Sequence, residues 1–409
     1  MRVALFTETY VPYVNGVVAH VKTLKDGLEK LGHEVMVVTA DKYTRHHFIE
    51  DGVLHCPAKE VKRLYSFGVS QPISYRRQKL IADFAPDIIH IHHEFGIGLS
   101  GILAAKLLKK PLVYTLHTMY DQYIYYIAPR PFLRAATRFS HTYSRFIAKS
   151  ATELTGPSLK CGEYFKQIGI KKDMSLIPNS VDLDAFNLDK ITQEQKDAFR
   201  EKYGISKDVM LACFVGRLGQ EKSVDTLLEY WASTISPADK MHLAVIGEGP
   251  ERPALEKLAQ TLEISSMVTF TGMIPHVEMP ANFAACDAYI SASLSEMNSI
   301  SMLEGMATGL PVFQRFDKLN ADQIQEGING FYFHSAEQMA QKLRGMRDMP
   351  KETLESLHRS VVGSVVARGS VDLASYMLGV YNKAIIQKSA KPASVSGIKL
   401  RIKPKPKDE

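Results

Sequence analysis

The amino-acid sequence predicts an α/β protein made of two doubly wound parallel-sheet domains that face each other across a cleft. The first observation is that short buried apolar runs alternate with segments of helical spacing, which is typical of βαβ units. The second is that this alternation breaks at residues 178–182 and then starts again. The third is the length of 409 residues, which accommodates two or three domains of ordinary size.

In the first half, predicted strands and helices alternate. The apolar run 3–6 leads to a helix that begins after Gly16, and its apolar residues recur at helical spacing. They are Val17, Val18, Val21, Leu24, Leu28 and Leu31. Gly32 ends this helix, and a strand follows at 34–39. The further predicted strands are 87–92, 111–116, 153–155 and 175–177.

In the second half, the same pattern returns. The predicted strands are 209–215, 241–246, 267–271, 288–291 and 311–313, and the predicted helices are 224–231, 251–262 and 301–307. We therefore expect a first Rossmann-like domain over 1–180 and a second over 181–370. A helix over 371–387 is expected to pack back on the first domain. The lysine- and proline-rich segment 388–409 is expected to be a flexible tail.

The composition is that of an ordinary globular protein, with 45% hydrophobic and 23% charged residues. It argues against disordered, collagen-like and membrane-bundle classes, and no apolar run reaches the roughly 18 residues of a spanning helix. The N-terminus indicates a strand rather than a signal peptide. The four cysteines are widely spaced and form no CxxC pair, so we expect reduced thiols in a cytoplasmic protein.

The charge is unevenly distributed along the chain. The overall net charge is +6, from +7 in residues 1–185, −6 in residues 186–386 and +5 in residues 387–409. A basic half favours an anionic partner, either nucleic acid or an anionic membrane, although an ordinary solvated surface gives the same totals. No recognised nucleic-acid motif accompanies the basic residues, so we expect no nucleic-acid partner.

Three candidate binding features follow predicted strands, where open α/β sheets bind ligands. Gly16 allows close backbone approach at a helix start that can hold phosphate, and a turn glycine is an equally good explanation. His117 can bind a ligand hydroxyl or stabilise developing charge, whereas an isolated histidine is more often structural. Arg217 and Lys222 lie five residues apart and can neutralise a diphosphate, with solvated surface cations as the alternative.

A fourth feature surrounds the start of the predicted helix 301–307. Glu296 and Glu304 can accept hydrogen bonds from sugar and ribose hydroxyls. The backbone between them includes Asn298, Ser299 and Ile300, and its amides lie where a helix N-terminus favours phosphate. Glutamates that only cap the helix are the alternative.

Together these motifs resemble the retaining glycosyltransferases of family 4, which have the GT-B fold of two Rossmann-like domains. SEMNSISMLEGMATGLPV at 295–312 matches the E-x7-E signature of that family, and GRLGQEK at 216–222 matches its donor-diphosphate motif. IGEGP at 246–250 matches its G-x-G-P turn, and PNSVD at 178–182 resembles the PNGVD stretch that enters the interdomain linker. The resemblance covers roughly residues 1–385.

The resemblance implies a retaining hexosyltransferase whose donor is a nucleotide sugar, with UDP-glucose as the main expectation and with no cofactor or metal required. The implied roles are diphosphate binding by Arg217 and Lys222, ribose binding by Glu304, and catalytic contacts to the donor sugar by Glu296 and His117. Gly16 would lie near the reaction centre, and Asn298, Ser299 and Ile300 would bind the donor through the loop. Catalysis would rest on positioning and on stabilising the leaving diphosphate.

Two details depart from the family pattern or need interpretation. Ser299 occupies the position where the family usually has glycine, and its Cβ lies where the backbone would approach the donor. Asp182 and Asp184 match the pattern of a metal-binding DxD motif, but their place in the linker favours a structural role.

Two segments of the first domain concern the acceptor. HTMYDQY at 117–123, followed by YYIAP at 125–129, resembles bacterial 1,2-diacylglycerol 3-alpha-glucosyltransferases and makes Tyr120 and Tyr123 acceptor candidates. The segment 130–149 predicts a basic amphipathic helix suited to an anionic membrane surface. Its arginines are Arg130, Arg134, Arg138 and Arg145. The alternative is a helix that packs its apolar stripe on the sheet. A second basic and aromatic cluster spans 59–79.

The resulting hypothesis is a peripheral enzyme at the inner face of the cell membrane that transfers glucose from UDP-glucose to diacylglycerol. Transfer to phosphatidylinositol or to a soluble sugar acceptor is the first alternative. A non-catalytic GT-B partner subunit is the second. The sequence pattern indicates no oligomeric state.

Overall fold

The structure of the protein is a computed structural model that describes residues 1–13, 15–61, 67–119, 130–321 and 323–390, without the side chains of Phe67 and Arg130. Two sheets with mainly parallel strands follow each other along this part of the chain. Each is flanked by helices, so the predicted α/β class with two Rossmann-like halves is confirmed.

The first sheet is built around a central parallel pair. Its strands are β1 (Arg2–Thr7), β2 (Glu34–Asp41), β3 (Phe48–Glu50), β4 (Val53–Val61), β5 (Phe67–Ser70), β6 (Ile88–Ile91), β7 (Leu112–Thr115), β8 (Glu153–Gly156) and β9 (Met174–Leu176). The order is β3-β4-β2-β1-β6-β7-β8-β9, with β5 paired to β4. In the centre, Val3 lies opposite Val35 and Ile88. Burial on both faces explains the continuous apolar runs of these strands.

The sequence analysis missed β3, β4 and β5. The pairings of β3 and β5 with β4 are antiparallel, whereas the other strand pairs of this sheet are parallel. All three residues of β3 are exposed, so this edge strand carries no apolar alternation that could have revealed it.

The helices of the first domain follow its strands. They are α1 (Gly16–Lys30), α2 (Tyr75–Phe84), α3 (Gly96–Leu107), α4 (Leu133–Ser150) and α5 (Leu159–Gln167). The start of α1 is fixed by Asn15, whose side-chain oxygen accepts a hydrogen bond from the Val18 amide at 3.0 Å. This cap sets the first turn of α1 at the end of the loop that follows β1, at the ligand-binding edge of the sheet.

The second sheet contains only parallel pairs among its described strands. Its strands are β10 (Met210–Val215), β11 (Met241–Ile246), β12 (Val268–Gly272), β13 (Ala288–Ser291), β14 (Val312–Arg315) and β15 (Gly330–Phe333). The order is β12-β11-β10-β13-β14-β15. Its helices are α6 (Gln193–Lys202), α7 (Val224–Thr234), α8 (Arg252–Thr261), α9 (Met279–Ala284), α10 (Ile300–Ala307), α11 (Ala336–Arg347) and α12 (Lys351–Gly363).

The last helix, α13 (Ser370–Ala390), returns to the first domain and packs along α1. The contact is close, because a Cβ added to Gly27 of α1 would lie 2.0 Å from the Ser370 carbonyl oxygen. Deeper in the same core, the Tyr381 hydroxyl and His90 Nδ1 are 2.8 Å apart. The helix extends to Ala390, three residues into the segment expected to be tail, and residues 391–409 lie outside the described part.

Within the described residues, no single helix has both the length and the apolar composition to cross a membrane. One bent pair, Lys351–Arg368 with Ser370–Ala390, passes by length and composition only, with 41° between the two parts.

Candidate functional site

The segment after β13 meets the first domain and forms the centre of the candidate site. A Cβ added to Gly16, at the start of α1, would lie 3.7 Å from Ile300 Cδ1, at the start of α10. In the linker, the Asn179 amide donates to Asn298 Oδ1 at 2.9 Å, and Asn179 Nδ2 donates to the Asn298 carbonyl at 2.7 Å. Three residues predicted to bind the donor therefore lie together at the contact between the domains.

The two cations of the predicted diphosphate loop are paired with carboxylates. Arg217 forms an ion pair with Glu221. Lys222 Nζ lies 2.6 Å from Glu296 Oε1, so the sequence-predicted diphosphate and sugar residues are in direct contact. Both cations are partly buried and paired, rather than free on the surface.

Glycines of the predicted G-x-G-P turn fix the position of this loop. Gly247 has φ +141°, and a Cβ there would lie 1.9 Å from the Gly216 carbonyl oxygen. A Cβ on Gly249 would lie 2.3 Å from the Leu218 carbonyl oxygen. Only glycine allows the two loops to pack this closely, so the turn supports the backbone that carries Arg217.

Glu304, on the buried face of α10, has a partner that the sequence analysis missed. His276 Nε2 donates to Glu304 Oε1 at 2.8 Å, and the His276 ring packs edge-on against Phe186. Burial raises the pKa of Glu304 against the opposing effect of His276, and the hydrogen bond to Glu304 raises the pKa of His276. The pair can present a carboxylate and an imidazole to hydroxyls in the cleft.

Ser299 is accommodated as the N-cap of α10. Its backbone has φ −66° and ψ 120°, a conformation that needs no glycine, and its Oγ accepts a hydrogen bond from the Met302 amide at 3.3 Å. Ser299 Oγ also lies 3.0 Å from Ser301 Oγ, which in turn donates to the Val215 carbonyl of β10. The departure from the family's glycine therefore stabilises the helix start locally.

The Glu296 loop is held by amide side chains that follow β14, which the sequence analysis also missed. Asn320 Nδ2 donates to the Glu296 carbonyl, and Gln323 Nε2 donates to the Met297 carbonyl at 2.8 Å. Neither residue lies in a motif, so only the fold brings them to the loop.

His117 lies after β7 and belongs to a cluster of histidines. His92 Nδ1 lies 3.0 Å from His117 Nε2, and the His20 ring centroid is 4.7 Å from that of His117. Burial lowers the pKa of His20 to about 4 and holds the pKa values of His92 and His117 well below their usual range. His117 is therefore neutral at neutral pH and can form hydrogen bonds without carrying a charge.

A chain of contacts joins His117 to the donor loop of the other domain. His117 packs against His20, and His20 Nδ1 lies 3.0 Å from Asn179 Oδ1. Asn179 in turn binds Asn298 through two hydrogen bonds. The predicted catalytic histidine and the predicted donor-binding loop thus belong to one connected site.

The basic helix α4 exposes its aromatic stripe. Phe132 just before the helix is 62% exposed, Phe139 is 72% exposed and Phe146 is 47% exposed. Their spacing of seven residues places them on one side of the helix. The helix is instead anchored by buried Ile147 and Ala148. The alternative that this stripe packs on the sheet is therefore wrong for these three phenylalanines.

The arginines of α4 flank this stripe. Arg134 and Arg138 are exposed, and Arg145 is exposed although its Nε donates to the Ile168 carbonyl at 2.5 Å. The side chain of Arg130 and all of Tyr120 and Tyr123 lie outside the described residues. The exposed side of α4 therefore carries both apolar and basic groups.

One member of the second basic cluster is misassigned by the sequence analysis. Arg77 is fully buried, and its guanidinium donates to Ser70 Oγ at 3.0 Å and to the Gln71 carbonyl. It lies on the buried face of α2 and cannot face a membrane. Residues 62–66 of the cluster lie outside the described part.

Comparison with known proteins gives the same assignment for both halves. The family model described as Glycosyltransferase Family 4 matches residues 14–185, and the model described as Glycosyl transferases group 1 matches residues 195–359. The alpha-monoglucosyldiacylglycerol synthase of Streptococcus pneumoniae is 31% identical over 363 residues, which cover 87% of this chain and 81% of that protein. The protein of the same name from Acholeplasma laidlawii is 29% identical over 398 residues, which cover 94% and 95%.

Solved structures agree on the fold. Anabaena HepE in complex with UDP and glucose matches with a TM-score of 0.69 at 15% sequence identity, covering 94% of this chain and 100% of that chain. The chain therefore belongs to the family 4 glycosyltransferases, and its two Rossmann-like halves form the GT-B fold.

Proposed function

We propose that this glycosyltransferase transfers glucose from UDP-glucose to diacylglycerol at an anionic membrane surface, with retention of the anomeric configuration. The observation that carries the proposal is the exposed face of α4, where three phenylalanines lie beside arginines on the domain that supplies His117. The similarity of nearly the whole chain to proteins named alpha-monoglucosyldiacylglycerol synthase supports diacylglycerol as the acceptor. A peripheral position at the inner face of the cell membrane follows from this acceptor.

Donor binding would replace the ion pairs of Lys222 and Arg217 with contacts to the diphosphate. Without donor, Lys222 is neutralised by Glu296 and Arg217 by Glu221. The diphosphate of UDP-glucose offers both cations stronger acceptors, because phosphate oxygens form charge-assisted hydrogen bonds. The exchange releases Glu296, whose carboxylate can then accept hydrogen bonds from the hydroxyls of the glucose ring.

The other donor groups have partners in the second domain. Glu304 would accept hydrogen bonds from the ribose hydroxyls, while His276 orients its carboxylate. The first amides of α10, after Ser299, would bind the phosphate at the positive end of the helix dipole. Uracil as the base and glucose as the sugar are the parts of the proposal that rest on the resemblance to diacylglycerol glucosyltransferases.

The reaction would proceed by attack on the face of the sugar from which the diphosphate leaves. The acceptor oxygen forms a bond to the anomeric carbon as the bond to the diphosphate breaks, and the acceptor proton passes to a phosphate oxygen of UDP. Arg217 and Lys222 stabilise the charge that develops on the leaving group. Neutral His117 hydrogen-bonds the donor sugar and fixes its orientation, which is a positioning contribution.

The proposal is tested by product analysis with purified protein. UDP-glucose, UDP-galactose and GDP-mannose are offered with diacylglycerol in vesicles of anionic or zwitterionic lipid, and with soluble sugars as competing acceptors. We expect an α-glucosyl lipid from UDP-glucose, formed faster on anionic vesicles. Transfer to phosphatidylinositol or only to a soluble sugar would overturn the acceptor assignment.

Site variants separate catalysis from other outcomes of this assay. Lys222→Met should strongly reduce product formation, whereas Lys240→Met should not, because Lys240 pairs with Asp208 on the surface of the second domain. Absence of transfer from every donor by correctly folded protein would favour the non-catalytic partner subunit.

A further inference from the structure

Three histidines from three different parts of the first domain form a cluster. His20 lies on α1, His92 follows β6 and His117 follows β7. One ring nitrogen from each lies within 4.8 Å of those of the other two. His20 and His92 are buried, whereas His117 is partly accessible, so an occupant of the cluster could be reached from the cleft through His117.

The ring of His20 is held in the tautomer that leaves a lone pair in the cluster. Asn179 Nδ2 donates to the Asn298 carbonyl, so Asn179 Oδ1 is the oxygen that faces His20 Nδ1 at 3.0 Å and must accept its proton. His20 Nε2 therefore carries no proton. A carbonyl that fixes a histidine in this way is the usual support of a metal-binding imidazole.

Two nitrogens of the cluster have no hydrogen-bond partner in the part of the chain that the structure describes. They are His20 Nε2 and His92 Nε2, and both are buried. Buried polar atoms are nearly always satisfied in native proteins, so the free lone pair of His20 Nε2 needs an explanation, and a bound cation would supply one. The adjacent His90 does not share this property, since its two ring nitrogens contact Tyr381 and Thr115 at 2.8 and 2.6 Å.

We propose that His20, His92 and His117 form a binding site for a zinc-class divalent cation. Neutral imidazoles suit Zn²⁺, and three of them leave a fourth position for water or a ligand hydroxyl. With metal–nitrogen bonds of about 2.0–2.1 Å, a tetrahedral ion sets its ligand nitrogens about 3.3 Å apart. His92 Nδ1 and His117 Nε2 are already 3.0 Å apart, in a hydrogen bond that the ion would replace while the proton of the donor ring moves to its other nitrogen. Rotation of the His20 ring supplies the remaining adjustment.

The ion would act as an inhibitor rather than as a cofactor. Coordination occupies Nε2 of His117, so this nitrogen can no longer form a hydrogen bond with the donor sugar. The ion also adds positive charge beside the site. Zinc should therefore slow glycosyl transfer, and a chelator should restore it. This consequence rests on the proposed role of His117, whereas binding of the ion does not.

Binding is tested without reference to activity. Chelator-treated protein without a histidine tag is titrated with Co²⁺ and followed by visible absorption, and with Zn²⁺ by calorimetry. We expect one ion per chain and a tetrahedral cobalt spectrum without a thiolate charge-transfer band. A thiolate band would place the ion on the cysteines and overturn the proposal, as would the absence of binding.

Variants locate the ion. His20→Gln should weaken Zn²⁺ binding by about 100-fold or more, since even the outer partners of metal ligands are worth 10–100-fold. His242→Gln is the matched control, because His242 is a half-buried histidine of the second domain that contacts Thr269. Equal binding by His20→Gln and wild type would overturn the assignment.

The wild-type protein provides a second measurement should His20→Gln fail to fold. X-ray absorption at the zinc edge counts the imidazole ligands directly, and three are expected. One or none would contradict the site. If no glycosyl transfer is found with any donor, the spectroscopic results still decide whether the cation site exists.

Discussion

Replacing Phe139 with serine tests whether α4 is the membrane-binding element. Phe139 is 72% exposed, and a phenylalanine presents about 200 Å² of surface, so about 145 Å² is free to enter a bilayer. At about 25 cal/mol per Å², complete insertion would be worth about 3.6 kcal/mol. A helix at the interface inserts only one side, and half of this value, about 2 kcal/mol, corresponds to about a 30-fold loss of vesicle partitioning for Phe139→Ser.

The assay is co-sedimentation with vesicles of graded anionic content at low and high salt. Arg138→Gln should weaken binding about 5-fold at low salt, because a basic residue near an anionic surface contributes about 1 kcal/mol. This loss should disappear at high salt, whereas the loss in Phe139→Ser should persist. The two variants therefore separate the apolar from the electrostatic contribution of the same helix.

Tyr376→Ser is the matched control, since Tyr376 is an aromatic residue of α13 that is 57% exposed. It should bind vesicles like wild type. The reasoning is refuted if Phe139→Ser partitions as well as wild type, or if Tyr376→Ser loses as much as Phe139→Ser.

Three further outcomes are expected at the donor site. Lys222→Met should lower kcat/KM for the nucleotide sugar about 100- to 1,000-fold, the range for losing one stabilising group at a developing negative charge, and unchanged kinetics would contradict its contact with the diphosphate. Lys240→Met serves as its control in the same steady-state assay. Ser299→Ala should cost about 1 kcal/mol in urea unfolding through loss of the α10 cap, whereas Ser299→Gly should cost only a few tenths. Because Glu304 raises the pKa of His276, the stabilisation from this pair is fully present below the unfolded histidine pKa of about 6.5 and is lost as pH rises through the higher folded value. The Tm advantage of wild type over His276→Gln should therefore shrink from pH 6 to pH 9, and a constant difference would show that the imidazolium form adds nothing.

The central strands could be predicted because each is buried on both faces and reads as a continuous apolar run, as Val3–Phe6 does. Residues of short motifs could be predicted as well, since Lys222 and Glu296 follow strands of one sheet and meet at its carboxyl edge. Arg77 could not be placed, because an arginine at an exposed and at a buried helix position looks alike in sequence. Its burial depends on Ser70 and Gln71, which only the turn before α2 brings to its guanidinium.

For the candidate site too, the roles of His276 and His20 could not be predicted from the sequence. His276 belongs to the site only because it pairs with Glu304, which is 28 residues away. The pairing depends on how the chain folds between β12 and α10, which the sequence pattern does not reveal. His20 lies among the apolar residues of α1, where a buried histidine reads as part of the packing face. Its neighbours His92 and His117 follow β6 and β7, and the pairing of those two strands in the sheet brings three residues that are distant in sequence into one cluster.

Hydrogen bonds link α4 to the segment that follows His92. The Tyr143 hydroxyl of α4 donates to the Glu94 carbonyl, and the Tyr114 hydroxyl of β7 donates to the Glu94 carboxylate at 2.5 Å. Glu94 is two residues after His92, which contacts His117. The helix that we propose to dock on a bilayer through Phe139 is therefore connected to the segment that carries His92, the neighbour of His117. Under the proposed function, this connection would fix the position of the site relative to the membrane surface, as an acceptor that stays in the lipid requires.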